Sequence, residues 1–71
     1  MTPQHPTERE KLAHLIRHWI DHNEGHRRSY LEWRDKLEGQ NLPRTYSALG
    51  HIADLTREMN QSLRDALDEL E

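Results

Sequence analysis

The feature that most constrains this chain is an unbroken heptad pattern in its first half. Apolar or semi-polar residues recur in alternating steps of four and three, a spacing that places side chains along one side of an α-helix. The residues on this seam are Leu12, Ile16, Trp19, Asn23, His26, Tyr30, Trp33 and Leu37. Leu15 and Ile20 widen the seam into a core-facing stripe. The first half of the chain is therefore predicted to form one long amphipathic helix.

The sequence before the seam predicts where this helix begins. Pro3 and Pro6 indicate an extended N-terminal lead, which we place at residues 1–7. Thr7 and Glu10 have the spacing of a capping box, in which two side chains satisfy free amides of the first helical turn. The helix is expected to start directly after Thr7.

A single strong break follows in the stretch "EGQNLPR". Gly39 can take the positive φ of a helix C-cap, Asn41 can cap the next helix, and Pro43 suits a first helical turn. The predicted domain spans residues 8–71, with helix 1 at about 8–38, the loop at 39–43 and helix 2 at about 43–70.

The second helix carries a matching seam. Its members are Leu49, Ile52, Thr56, Met59, Leu63, Ala66 and Leu70. Two long helices joined by a short loop predict an all-α antiparallel hairpin. The predicted register pairs residues whose numbers sum to about 85 or 86, so that His26 faces Met59. In the same register Asn23 faces Leu63.

Gly25 raises the question of whether helix 1 is continuous. It could end one helix after "HNEG" and start another, giving three helices, and glycine costs about 1 kcal/mol inside a helix. The seam keeps its phase across Gly25, however. We therefore predict one continuous helix.

The composition limits how such a hairpin could be stabilised. Hydrophobic residues make up only 32% of the 71 residues, and there is no cysteine for disulfides. For a domain with so small a core, the remaining usual sources of stability are a bound metal and self-association. A lone hairpin also cannot cover both sides of a stripe that contains Trp19 and Trp33. We expect a homodimer in which two hairpins form a four-helix bundle.

Charge suggests one way for two hairpins to pair, without deciding it. From Glu58 to Glu71 there are five acidic residues and one basic residue, whereas six basic residues lie near the predicted loop. A head-to-tail antiparallel dimer would set the acidic ends against the basic ones. Within one hairpin, however, the acidic residues also face the histidine-bearing half of helix 1, and this effect could suffice by itself.

Several function classes are disfavoured by composition and by missing motifs. The formal net charge of −3 disfavours general nucleic-acid binding, and no apolar run approaches the roughly 20 residues of a membrane span. With no apolar signal-peptide stretch at the N-terminus, we expect a cytoplasmic protein. The chain lacks HExxH, a glycine-rich phosphate loop, and the glutamate three residues before histidine of di-iron bundles. We expect no enzymatic activity.

The motif that points to chemistry is a ladder of histidines on helix 1. His14, His18, His22 and His26 follow one another at intervals of four residues. Neighbours at this spacing can chelate one ion, and imidazole binds nickel, zinc or copper well. Each step advances about 40° around the helix, so His26 lies on the predicted seam and His22 at its edge, while His18 and His14 lie farther out.

We therefore interpret His22 and His26 as the inward metal-ligating pair, with His18 and His14 as auxiliary or entry ligands. Two histidines are too few for a tight site, and a symmetric dimer would double them. Met59 could add a soft ligand for copper, and Asn23 and Asn60 could orient the rings.

Two other interpretations remain open from the residues alone. Asn23 and His26 could instead form a buried polar layer that sets the register of a self-association module without any ligand. A pH-sensing role is suggested by six histidines among many acidic residues. His5 and His51 stand alone and carry no specific hypothesis.

The stretch "HLIRHWIDHNEGHRRSYLEW", followed by "SALGHIADLTREMNQSLRDALDEL", resembles a group of small prokaryotic helical domains of unknown function. The shared pattern is H-x3-HW-x2-HN-x2-H, followed by an aromatic residue, a tryptophan and a second helix with an asparagine. The matching residues are His14, His18, Trp19, His22, Asn23, His26, Tyr30, Trp33 and Asn60. The resemblance implies a location beside nickel-handling accessory domains, and hence a metallo-enzyme maturation partner.

Overall fold

The computed structural model describes residues 7–71, which form two α-helices joined by a short loop. Helix α1 spans Glu8–Lys36 and helix α2 spans Pro43–Leu70. The helices pack against each other, and 88% of the structure is helical, which confirms the predicted all-α hairpin. Residues 1–6, with Pro3, His5 and Pro6 of the predicted lead, lie outside the described part. Within residues 7–71, neither helix carries the continuous apolar stretch that a membrane span requires.

Local hydrogen bonds and backbone angles define both ends of α1. Thr7 is the N-cap, and its hydroxyl accepts a hydrogen bond of 3.1 Å from the backbone amide of Glu10, as the capping motif predicted. The helix ends at Lys36, slightly before the predicted end, because the chain turns at Leu37. Gly39 takes a φ of +86°, which glycine adopts without steric cost.

The prediction that Asn41 caps the second helix is wrong. Leu42 occupies the N-cap position of α2 and makes no side-chain capping hydrogen bond. Asn41 instead has a φ of +60°, a left-handed conformation that asparagine tolerates better than most residues. Pro43 does lie in the first turn of α2, where its missing N–H has no helical partner to lose.

Helix α1 runs without interruption through Gly25. A Cβ atom added at this glycine would meet no other atom within 4 Å. Neither a turn nor a close approach of another backbone therefore requires glycine here. The phase of the heptad pattern correctly predicted the continuous helix.

The contact between the helices is centred on small and polar residues. The buried residues are Ala13, Ile16, Ala53, Thr56 and Asn60. Small side chains let the two backbones approach closely, whereas the large members of the predicted seam, such as Trp19 and Trp33, are left exposed beside this contact. The predicted stripe is wider than one partner helix can cover, and the single partner covers the edge that carries the small side chains.

A hydrogen-bonded pair of asparagines, of which Asn60 is buried and Asn23 half-buried, sets the register of the hairpin. Asn60 is 0% exposed, and its side-chain nitrogen donates a hydrogen bond of 3.2 Å to the carbonyl oxygen of Ile20. Its Oδ1 accepts a hydrogen bond of 3.0 Å from Nδ2 of Asn23. Breaking such a buried arrangement costs about 1–3 kcal/mol for each group left without a partner, so it resists both sliding and rotation of α2.

The predicted register, with Asn23 facing Leu63 and His26 facing Met59, is wrong. Asn23 faces Asn60, three residues earlier on α2, and its Nδ2 also lies 3.4 Å from Sδ of Met59. His26 is exposed instead of packed between the helices. The heptad pattern defines a broad side of each helix, but the amide pairing decides which edge of that side faces the other helix.

Asn60→Ala is expected to lower the free energy of unfolding by about 1–3 kcal/mol, because the Ile20 carbonyl and the Asn23 amide lose their buried partner. Urea denaturation followed by circular dichroism measures the change. Gln61→Ala, at the exposed neighbouring position, is the matched control and is expected to stay within about 0.5 kcal/mol of wild type. Equal stability of the Asn60 variant and the control would contradict the structural role of the pair.

Gly25→Ala is expected to raise the free energy of unfolding by about 0.5–1 kcal/mol, because alanine fits the open helical position and restricts the unfolded chain. Thermal unfolding measures the effect. Gly39→Ala is the matched comparison and is expected to destabilise, since its positive φ disfavours a Cβ atom. A loss of stability in Gly25→Ala would mean that α1 is interrupted at this point.

Candidate metal centre

Helix α1 arranges three of the ladder histidines and one tyrosine in a column of adjacent rings. The ring centroids of His18 and His22 lie 6.1 Å apart, and those of His22 and His26 lie 4.4 Å apart. Tyr30 extends the column, with its ring centroid 6.0 Å from that of His26. The spacing of four residues produces this column, because side chains four apart lie above one another on a helix. Sequence reasoning assigned Tyr30 only to the core, although it continues the same spacing.

His22 and His26 form the closest pair in the column. Their Nε2 atoms lie 2.9 Å apart, and the two rings meet edge to face at an interplanar angle of 79°. This is hydrogen-bond distance, and which nitrogen donates depends on the tautomers of the two rings. Both side chains are exposed, so an ion from solvent can reach the same two nitrogens without any movement of the backbone.

The 2.9 Å separation of the two Nε2 atoms also determines which coordination geometries the pair fits. An ion bound about 2.0–2.1 Å from both Nε2 atoms would form an N–metal–N angle of about 90°. This angle suits adjacent positions of a square-planar or octahedral site, the geometries of copper(II) and nickel(II). Tetrahedral zinc needs a separation of about 3.3 Å, which a small ring rotation supplies.

The other two ladder histidines lie at increasing distance from this pair. His18 stacks beside His22 at an interplanar angle of 29° and is exposed. His14 is exposed one turn earlier and lies beside Glu10, Lys11 and Leu15. The structure thus brings together His22 and His26, keeps His18 next to them, and leaves His14 outside the ring column.

The three residues predicted to support the site have other contacts. Asn23 and Asn60 direct their amides at each other and at the Ile20 carbonyl, and within residues 7–71 neither of them hydrogen-bonds a histidine ring. Met59 is exposed, with its sulfur against the amide of Asn23. Asn60 was predicted as a supporting residue of the metal site, yet it is the most buried side chain of the hairpin contact. The sequence feature that could have indicated this role is the presence of one asparagine on the core-facing side of each helix, Asn23 on α1 and Asn60 on α2.

Within residues 7–71, the structure brings two imidazoles within reach of one ion. Among residues 7–71, no group of three or more histidine, aspartate or glutamate side chains lies close enough to hold an ion. Glu24, the acidic residue between the two histidines in the sequence, pairs instead with Arg27 at 3.1 Å. In this arrangement further ligands would have to come from water, from a second molecule, or from His18 after a movement of its side chain.

The fold defines a small helical-hairpin protein with an exposed pair of adjacent histidines. The chain belongs to the family DUF8180, described as a domain of unknown function, whose sequence pattern matches residues 12–70. This confirms the resemblance to a small domain of unknown function. An uncharacterized protein of the archaeon Archaeoglobus fulgidus is 37% identical over 59 residues, which cover 83% of this chain and 94% of that relative. No solved structure matches the chain.

Proposed function

We propose that this protein is a non-enzymatic binder of a divalent transition metal, with His22 and His26 as its ligands. The observation that carries the proposal is the 2.9 Å distance between the two Nε2 atoms. The two nitrogens are close enough together to bind one ion, and both side chains are exposed. Since imidazole is a ligand for nickel, copper and zinc, these are the candidate ions.

The geometry favours nickel or copper over zinc in this proposal. The separation of the two nitrogens fits adjacent positions in a square-planar or octahedral site, whereas zinc would require the rings to move apart. Copper also binds divalent-metal sites more tightly than nickel or zinc in the general affinity order. The ion found in the cell would then depend on metal supply as much as on the site.

His18 and His14 act as entry or auxiliary ligands in this proposal. His18 already stacks beside His22, so it can receive an ion at the edge of the site and pass it one turn along the helix. His14 lies one turn earlier and extends the same path along the surface. Met59 is the nearest soft donor on α2, through its contact with Asn23, and would favour copper.

A site with so few protein ligands suits transfer of an ion better than permanent storage. Two exposed imidazoles leave coordination positions open to water or to the ligands of an acceptor protein. The sequence resemblance implies nickel-handling neighbours, so we assign the protein to metallo-enzyme maturation. We place it in the cytoplasm, because a small chain without cysteine suits a compartment in which disulfides are not available.

A second candidate function is a self-association module without a ligand. The observation that favours it is the hydrogen bond between Asn23 and the buried Asn60, a polar layer of the kind that fixes the register of helical bundles. His26 is not part of this layer within the hairpin. The two candidates differ in whether the protein responds to added metal.

Addition of nickel, copper or zinc is expected to raise the melting temperature of the wild-type protein. Binding to the folded state alone stabilises by about 2.7 kcal/mol at a hundredfold excess over Kd, or about 10 °C or more for a domain of this size. His22→Ala and His26→Ala should each abolish most of the shift. Differential scanning calorimetry with and without each metal measures it.

His51→Ala is the matched control, since this histidine is exposed on α2, away from the ladder, and the variant should keep the full shift. Acidification should weaken the metal effect, because protons compete with the ion for imidazole. The metal proposal is overturned if none of the three ions shifts the wild-type melting temperature. It is equally overturned if the double variant His22→Ala/His26→Ala responds like wild type.

A further inference from the structure

Large apolar side chains remain exposed along one broad side of the hairpin. On α1, Leu12 is 40% exposed, Trp19 41% and Trp33 56%, and these residues lie on a heptad repeat whose remaining member is His26. On α2, Ile52 and Met59 repeat the same interval and are also exposed. Residues seven apart lie within about 20° of one another around a helix, so each set forms a straight stripe. We call the two stripes together the apolar face.

The two stripes lie on the same side of the hairpin. Nδ2 of Asn23 lies 3.4 Å from Sδ of Met59. Asn23 lies on the edge of α1 next to His26, and Met59 belongs to the α2 stripe, so the two stripes are neighbours. The residues on the opposite side are largely charged, among them Arg28 and Asp54, both exposed. The hairpin is thus a slab with one apolar face and one charged face, and His22 and His26 belong to the apolar one.

We propose that the apolar face binds a second copy of this chain. The face is about 40 Å long and about 20 Å wide, or on the order of 800 Å² per molecule, which is the size that stable protein pairs bury on each side. A slab of two helices covered by an identical slab is a four-helix bundle, in which the large side chains of the apolar face are enclosed.

The charge distribution selects the orientation of the two copies. At the open end of the hairpin, residues 7–21 and 58–71, acidic residues outnumber basic ones by four. At the loop end, residues 22–57, basic residues outnumber acidic ones by one. An antiparallel arrangement sets each acidic end against the partner's basic end, whereas a parallel one sets the two acidic ends together. The copies are therefore antiparallel.

The spacing of the apolar stripe supports the same orientation and gives its register. In an antiparallel pair related by a twofold axis across the helices, α1 lies on the partner's α1. An axis level with His22 and Asn23 then pairs Leu12 with the partner's Trp33, and Trp19 with the partner's His26. Each large side chain of the stripe thereby finds an apolar or ring-bearing neighbour.

The same axis sets complementary sizes together on α2. Because Asn23 lies level with Asn60, the axis passes near Asn60 on the second helix. Ile52 and Met59 then lie level with the partner's Glu69 and Ser62. The exposed Leu55, beside them on α2, lies level with the partner's Ala66. The register derived from α1 therefore produces no clash of bulky side chains between the α2 helices.

This arrangement completes the metal site, a consequence that rests on the proposed function. His22 lies at the midpoint of α1, so the twofold axis brings the two copies of His22 to nearly one level, and each His26 lies about 5 Å from the axis along the helix, on opposite sides of it. The four imidazoles then line one short stretch between the subunits. In a parallel pair, α1 would lie on the partner's α2, and the two histidine pairs would be held on opposite edges.

Site-specific cross-linking tests the interface in the absence of metal. Because the natural chain has no cysteine, single variants Leu12→Cys, Trp33→Cys, Ile52→Cys and Asp54→Cys each carry one thiol. Mixed Leu12→Cys and Trp33→Cys chains, treated in EDTA with a short thiol-specific bis-maleimide, should shift from 8.5 kDa to twice that mass. Circular dichroism checks that each variant is helical, and wild-type sedimentation in EDTA should give the dimer mass.

The other possible outcomes contradict either the proposed interface or the metal function. Cross-linking of mixed Trp33→Cys and Ile52→Cys chains would indicate the parallel arrangement and overturn the proposal. Linked Asp54→Cys chains would place the charged face in the interface, and a wild-type monomer in EDTA would remove the interface altogether. Formation of the Leu12–Trp33 product together with no melting shift on metal addition would preserve the interface and overturn the metal function alone.

Discussion

The hydrogen-bonded asparagine pair between the two helices is the constraint on which the rest of this structure depends. Asn60 is fully enclosed, and both ends of its amide are used, one by Ile20 and the other by Asn23. Apolar contacts alone would allow α2 to slide or roll at small cost, since they have no preferred direction. The amide bonds have one satisfied geometry, and this geometry decides which edge of each helix is covered.

That choice of edge determines what the protein presents to its surroundings. Small residues such as Ala13 and Ala53 lie between the helices, and the bulky residues of the same sides are turned outward. The histidine pair turns outward with them. A chain whose own core consists of so few apolar side chains thereby keeps large apolar side chains and the closest histidine pair exposed on one side.

The sequence carried enough information for the architecture and less for the details of packing. The heptad phase through Gly25 and the break at Gly39 and Pro43 predicted both helices, because backbone periodicity and turn chemistry are local properties. The facing edges depend on contacts between residues nearly forty positions apart. A pattern of apolar spacing does not distinguish Asn60 from its neighbours, so the register and the exposure of His26 were predicted wrongly, while the ring column of the ladder followed directly from its spacing.

The position of Gly25 inside the histidine pair has a consequence for the mechanics of the helix. Glycine is the residue at which a helical backbone yields most easily, and His22 and His26 stand on either side of it. An ion bound by both imidazoles would link the two ends of this helical turn and stabilise its helical conformation. Such linkage is reciprocal. A contact elsewhere that stabilises the helical turn would therefore raise the affinity for the ion, and a partner that unwinds the turn would lower it.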